Sequence, residues 1–146
     1  MQVPLEIRLS LRQGTVYYMA DRSLSSIEPH YFVVVNAFPL RDEVLLLTVA
    51  SSQIETVKRR RAKEPELTVV EIPEAEYADF TKDSVIDCNQ VFTKPLAEPC
   101  AQWSRKEIVA KQDIPEDLLE KLQHAVLSSR LVSETDKRRI RGEQIE

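Results

Sequence analysis

The sequence has 146 residues, of which 42% are hydrophobic and 30% charged, the composition of one ordinary folded domain and not of a disordered chain. Lys and Arg total 20 against 24 Asp and Glu, a net charge of −4, so a uniformly basic nucleic-acid binder is not the default reading. Glycine is scarce, Gly14 and Gly142 alone against 8 prolines, which excludes dinucleotide GxGxxG loops and P-loops, whose backbone cradles need several glycines close together.

In chain order, residues 1–11 carry Glu6 and Arg8 and no long apolar core, so they do not read as a signal peptide; an extra strand is one reading of them. Residues 15–19 (TVYYM) follow Gly14 and are β-branched and aromatic, which predicts a strand. Residues 31–35 (YFVVV) form a continuous apolar run after Glu28-Pro29, the pattern of a strand buried on both faces. Residues 36–42, with Pro39 and two charges, predict a turn, and residues 43–49 (EVLLLTV) the second arm of an antiparallel hairpin. Residues 67–72 (LTVVEI, stopped by Pro73), 84–88 (SVIDC) and 91–93 (before Pro95) predict three further short strands. Residues 74–80 suit a helical turn or two, and residues 96–108 are read as partly helical, with Trp103 as a core anchor.

The clearest helix follows Asp113-Ile114-Pro115-Glu116, where an acid at the cap precedes Pro in the first turn and Glu three positions on. Leu118, Leu119, Leu122, Val126 and Ser129 then give one helix face. Ser133 and Asp136 form a second capping pattern, and Gly142 is placed to end that helix. The pattern gives a mainly β fold with added helix: one domain over residues 1–132 and a short basic helical tail over 133–146. No apolar stretch approaches the roughly 20 residues of a membrane span, so a cytoplasmic protein is expected.

Cys88 and Cys100 have no CxxC partner, and with His30 and His124 they match no zinc spacing, so buried free thiols are expected. Asp83 and Asp87 share a strand face with Val85, a mixed surface that does not make a metal site. No metal and no cofactor is expected. His30 alone at a strand entry is more often structural than catalytic, and Ser51-Ser52-Gln53 alone is an ordinary strand end. Lys58, Arg59, Arg60, Arg61 and Lys63 put five basic residues in six positions, a quarter of the chain's 20. Such a run is usually a solvated loop or helix face; the other reading is a phosphate-binding patch.

Taken together and in order, these segments resemble the PemK/MazF family of toxins from toxin–antitoxin systems. Gly14-Thr15-Val16 is similar to the family's opening G-[DT]-[IV] strand. Residues 30–35 (HYFVVV) are similar to its R-P-x-V-V strand, residues 46–53 (LLTVASSQ) to its [ST]-[ST]-Q strand end, residues 83–90 (DSVIDCNQ) to its next strand, and residues 114–122 (IPEDLLEKL) to its closing helix. The resemblance spans roughly residues 14–129. It implies an SH3-like small barrel with a C-terminal amphipathic helix, a homodimer, and an antitoxin protein partner. It also implies metal-independent cleavage of single-stranded RNA to 2′,3′-cyclic phosphate and 5′-OH ends.

By the same resemblance the catalytic hydroxyl falls on Ser51, with Ser52 and Gln53 beside it. The family's Arg position holds His30, and its Pro position Tyr31. A histidine works as acid or base near neutral pH but stabilises phosphorane charge less well than a guanidinium. The resemblance also puts the run Lys58, Arg59, Arg60, Arg61 and Lys63 beside the RNA groove. Tyr17, Tyr18 and Tyr31 are candidates for stacking bases, although such residues are more often core. The alternatives are a non-catalytic binding module on the same fold, inhibiting a protein target as the related CcdB branch does or binding RNA without cutting, and an adaptor domain.

Overall fold

The computed structural model describes residues 2–22, 24 and 26–145. The chain runs α1 (Leu5–Ser10), β1 (Val16–Met19), β2 (His30–Val34), α2 (Pro39–Asp42), β3 (Val44–Ser51), α3 (Ile54–Arg60), β4 (Val69–Ile72), β5 (Ser84–Asp87), β6 (Phe92–Pro95), α4 (Ala97–Ser104), β7 (Ile108–Lys111), α5 (Glu116–Ser128) and α6 (Glu134–Ile140). The strands form one antiparallel sheet in the order β4-β5-β3-β2-β1-β7. β3 is its spine. It pairs with β2 on one edge and, on the other, with β5 through Ala50 and Ser51 and with β6 through Val44 to Leu47.

Each face of the sheet carries its own core. Val33, Leu46, Ala50, Val70, Ile72 and Ile86 pack with Leu118, Leu122, Ala125 and Val126 of α5. On the other face, Tyr17, Met19, Phe32, Val34, Leu45 and Leu47 pack with Ile7 of α1 and Cys100 of α4, and Trp103 packs against this core as the sequence suggests. Two covered faces explain why residues 31–35 are apolar without alternation. They also separate the thiols: Cys88 is in the first core and Cys100 in the second, both free and buried.

The mainly β fold with its C-terminal amphipathic helix agrees with the sequence. The sheet is open, however: β4 and β7 end the strand order, β6 pairs with β3 alone, and among the described residues no ladder closes it into a barrel. Pro73, which has no N–H to donate, ends β4 after four residues. The gap is bridged by the turn that follows. The Tyr77 hydroxyl donates to the Gln112 carbonyl, and the Gln112 N–H donates to Asp79 Oδ2 at 3.0 Å. The Tyr31 hydroxyl ties the same turn to β2 through the Asp79 carbonyl at 2.9 Å.

Several local expectations are corrected. Residues 5–10 are helix, burying Ile7, and form no extra strand. Residues 96–108 are helical in part, over α4, and the edge strand β7 at residues 108–111 is one the sequence does not predict. Asp113 does not cap α5. It pairs with Arg12, while the Ile114 N–H donates to the Gly14 carbonyl and holds this segment extended, so the helix begins only after Pro115. Gly14 sits at φ +96°, a conformation side chains disfavour, with the Leu119 Cδ2 atom 3.1 Å from where a Cβ would stand. Ser133 caps α6 by accepting from the Asp136 N–H at 3.1 Å, and Gly142, at φ +86°, follows its end. Ile140 of α6 is buried in the first core, which packs residues 134–140 onto the domain. Among the described residues no helix is long and apolar enough to cross a membrane.

Candidate functional site

β2 and β3 pair Phe32↔Val49, Val33↔Thr48 and Val34↔Leu47. The ladder ends there, and alternation along the two strands leaves His30 and Ser51, each two residues beyond the last pair, on the face of Phe32 and Val49. On its other edge Ser51 pairs with Val85, and Val85 with Glu71. Cross-strand partners share a face of the sheet, so Ser51, Val85 and Glu71 form one row, and His30 lies on the same face. Alternation from Phe32, Val34 and Leu47 puts that row on the side of the second core. One face of the sheet thus carries the His30 imidazole and the Ser51 hydroxyl at the ends of β2 and β3, with the Glu71 carboxylate two strands from Ser51 across β5.

The His30 ring is held by its own approach loop, with Nδ1 2.9 Å from the Glu28 carbonyl oxygen. A carbonyl only accepts, so Nδ1 is the donor in this contact and Nε2 is the ring nitrogen left for another partner. Ser51 Oγ accepts from the Gln53 N–H at 3.0 Å, which leaves its own proton free to donate. Ser52 and Gln53 link β3 to α3. With Ile54, Glu55, Thr56 and Glu71 they line a shallow hollow of about 410 Å³.

The basic run lies on a helix and its end, not in a loop. Lys58, Arg59 and Arg60 form the last turn of α3 and Arg61 follows, at the negative end of the helix dipole. Glu55 in the first turn and Val57, buried against the sheet, complete a short amphipathic pattern that a charge count overlooks. Arg61 Nε lies 2.8 Å and Arg60 Nη2 3.5 Å from Asp87 Oδ2. Lys58 Nζ lies 2.9 Å from Glu71 Oε2, a hydrogen bond that holds the ammonium above its ordinary pKa. Arg59 and Lys63 are exposed and form no ion pair among the described residues.

Asp87 is more than an ion-pair partner. Its Oδ1 accepts from the backbone N–H and the Nδ2 of Asn89, each at 3.1 Å. Asn89 Nδ2 also donates to Thr68 Oγ1 at 2.9 Å, and the Ser129 hydroxyl donates to Asn89 Oδ1 at 2.7 Å. This buried network ties α3, β5 and the end of α5 together. Asp83 is separate: its Oδ1 accepts from the Glu74 N–H at 2.9 Å and fixes a turn. Neither Glu71 nor Asp87 stands out as part of a site from sequence. The signal for Glu71 is its place as the one charge in LTVVEI, and the signal for Asp87 is a carboxylate in a strand 26 positions after Arg61.

The tyrosines divide. Tyr17 is buried in the second core, while Tyr18 and Tyr31 are cross-strand partners on the other face, with ring centroids 4.7 Å apart. A larger groove of about 1040 Å³ opens beside α4. It contains the buried Lys94–Asp21 pair at 2.7 Å and none of the residues singled out from sequence, although its bordering loop leads into His30.

Scans against protein-family models and against curated proteins find no match to this chain. The resemblance to PemK/MazF toxins stands on its motifs alone.

Proposed function

We propose that the chain is a metal-independent endoribonuclease acting on single-stranded RNA, with Ser51 and His30 at the scissile phosphate. The observation that supports this reading is the alternation along β2 and β3, which puts His30 and Ser51 on the same face of the sheet at the ends of neighbouring strands. His30 Nε2 takes the proton of a ribose 2′-OH, and O2′ attacks the adjacent phosphorus. The Ser51 hydroxyl donates to a non-bridging oxygen as charge develops there. The P–O5′ bond breaks, water protonates the departing O5′, and a 2′,3′-cyclic phosphate and a 5′-OH remain. Ser52, Gln53, Lys58, Arg59 and Lys63 hold the flanking backbone, while Arg60 and Arg61 reach it from their anchor on Asp87.

The same reading makes the chain a cytoplasmic toxin, a homodimer held in check by an antitoxin protein. A second reading, an RNA-binding module without cleavage, is favoured by the contacts of the two central groups. The His30 ring and the Ser51 hydroxyl each hydrogen-bond within their own turn. Incubation of wild type, His30→Ala and Ser51→Ala with single-stranded RNA in EDTA separates the two. The nuclease reading expects cleavage by wild type and its loss in both variants. Tight binding without cleavage supports the module, and equal cleavage by all three proteins overturns the assigned roles.

A further inference from the structure

Lys58 is the one cation of the α3 run whose partner is both exposed and beside the proposed RNA path. The side chains of Lys58 and Glu71 are 43% and 50% exposed, against 19% and 6% for Arg61 and Asp87. An ion pair so open to water is weakly held and exchanges partners readily, whereas a buried one does not. Glu71 also shares the cross-strand row of Ser51 and lines the same hollow as Ser52 and Gln53. A phosphate that reaches this hollow meets the Glu71 carboxylate and the ammonium it occupies.

We infer that Glu71 is a built-in competitor for Lys58, displaced by an RNA phosphate, and that it sets how tightly the α3 edge holds single-stranded RNA. The inference rests on the RNA reading above. In the free protein Lys58 points its charge at Glu71. When RNA binds, the ammonium turns to a phosphate oxygen, which the flexible four-carbon stem allows. Glu71 remains beside the phosphate as a like charge. Affinity is therefore lower than the count of basic residues suggests, and the carboxylate that lowers it is removable. Glu55 and Glu66 also favour the charged form of Lys58, but among the described residues only Glu71 hydrogen-bonds it.

The test is fluorescence anisotropy with a labelled, fully 2′-O-methylated single-stranded RNA, which has no 2′-OH to attack and so reports binding alone. Glu71→Gln is expected to bind on the order of threefold tighter than wild type at low salt. Its affinity should also fall more steeply with added salt, since Lys58 then meets the phosphate with its own counterion to release. Lys58→Gln should weaken binding more in the Glu71→Gln background than in wild type, and Glu66→Gln should tighten binding less than Glu71→Gln. A Glu71→Gln protein with native circular dichroism and unchanged or weaker binding overturns the inference and leaves the RNA reading intact. Wild type that binds no RNA at all overturns that reading and the inference with it.

Discussion

Asp87 and Glu71 hold cations of the same basic run through contacts of nearly equal length, 2.8 Å from Arg61 and 2.9 Å from Lys58. Their surroundings differ. Asp87 is buried, accepts two further hydrogen bonds from Asn89, and belongs to a network that reaches Thr68 and Ser129. Glu71 is exposed on the edge strand β4, and Lys58 is its only ion pair among the described residues. Length does not rank ion pairs; desolvation and the remaining hydrogen bonds do. One carboxylate fixes where the helix sits, and the other tunes what its cations are free to touch.

That contrast is easiest to break at the buried end. Asp87→Ala leaves Arg61 without its partner and strips Asn89 of an acceptor, and should cost about 2–3 kcal/mol of stability. Thermal unfolding would read this as a Tm lower by about 8 °C. Asn89→Ala removes the bridge between Asp87, Thr68 and Ser129 while keeping the ion pair, with an expected cost of about 1–2 kcal/mol in urea titration. At the exposed end Arg59→Gln should leave Tm unchanged and weaken RNA binding a few-fold, with the slope of log affinity against log salt reduced by about one. Glu71→Gln should be smallest in stability, with no measurable shift in Tm. A Glu71→Gln protein as destabilised as Asp87→Ala would erase the distinction.

The sequence reveals most where one physical signal dominates. Residues 31–35 and 44–47 are apolar enough to require cover on both faces, and both are central strands. Leu118, Leu122 and Val126 at helical spacing find the first core as their pattern requires. Ser133 caps its helix because the cap is a local interaction, made within three residues. Asp113 fails as a cap because a distant group, Arg12, competes for it, and local spacing carries no trace of that. α3 is short, Val57 is its one buried residue and its charges mask that face, so the run reads only as a solvated loop or helix face. At the candidate site, Ser51 and His30 are visible as chemistry-bearing types, but their shared face depends on how β2 and β3 pair. Glu71 comes into line with Ser51 only through β5, a long-range pairing that no spacing encodes.

Cleavage chemistry is best read from an oligonucleotide that is 2′-O-methylated at every position but one. Mixed with wild-type protein in EDTA, it should be cut only after the single ribonucleotide. The 5′ fragment should carry the mass of a 2′,3′-cyclic phosphate, and the 3′ fragment should begin with a free 5′-OH. His30→Ala and Ser51→Ala should leave the strand intact. A strand left whole by wild type that binds it tightly would contradict the nuclease reading, as would cuts at methylated positions or 5′-phosphate ends.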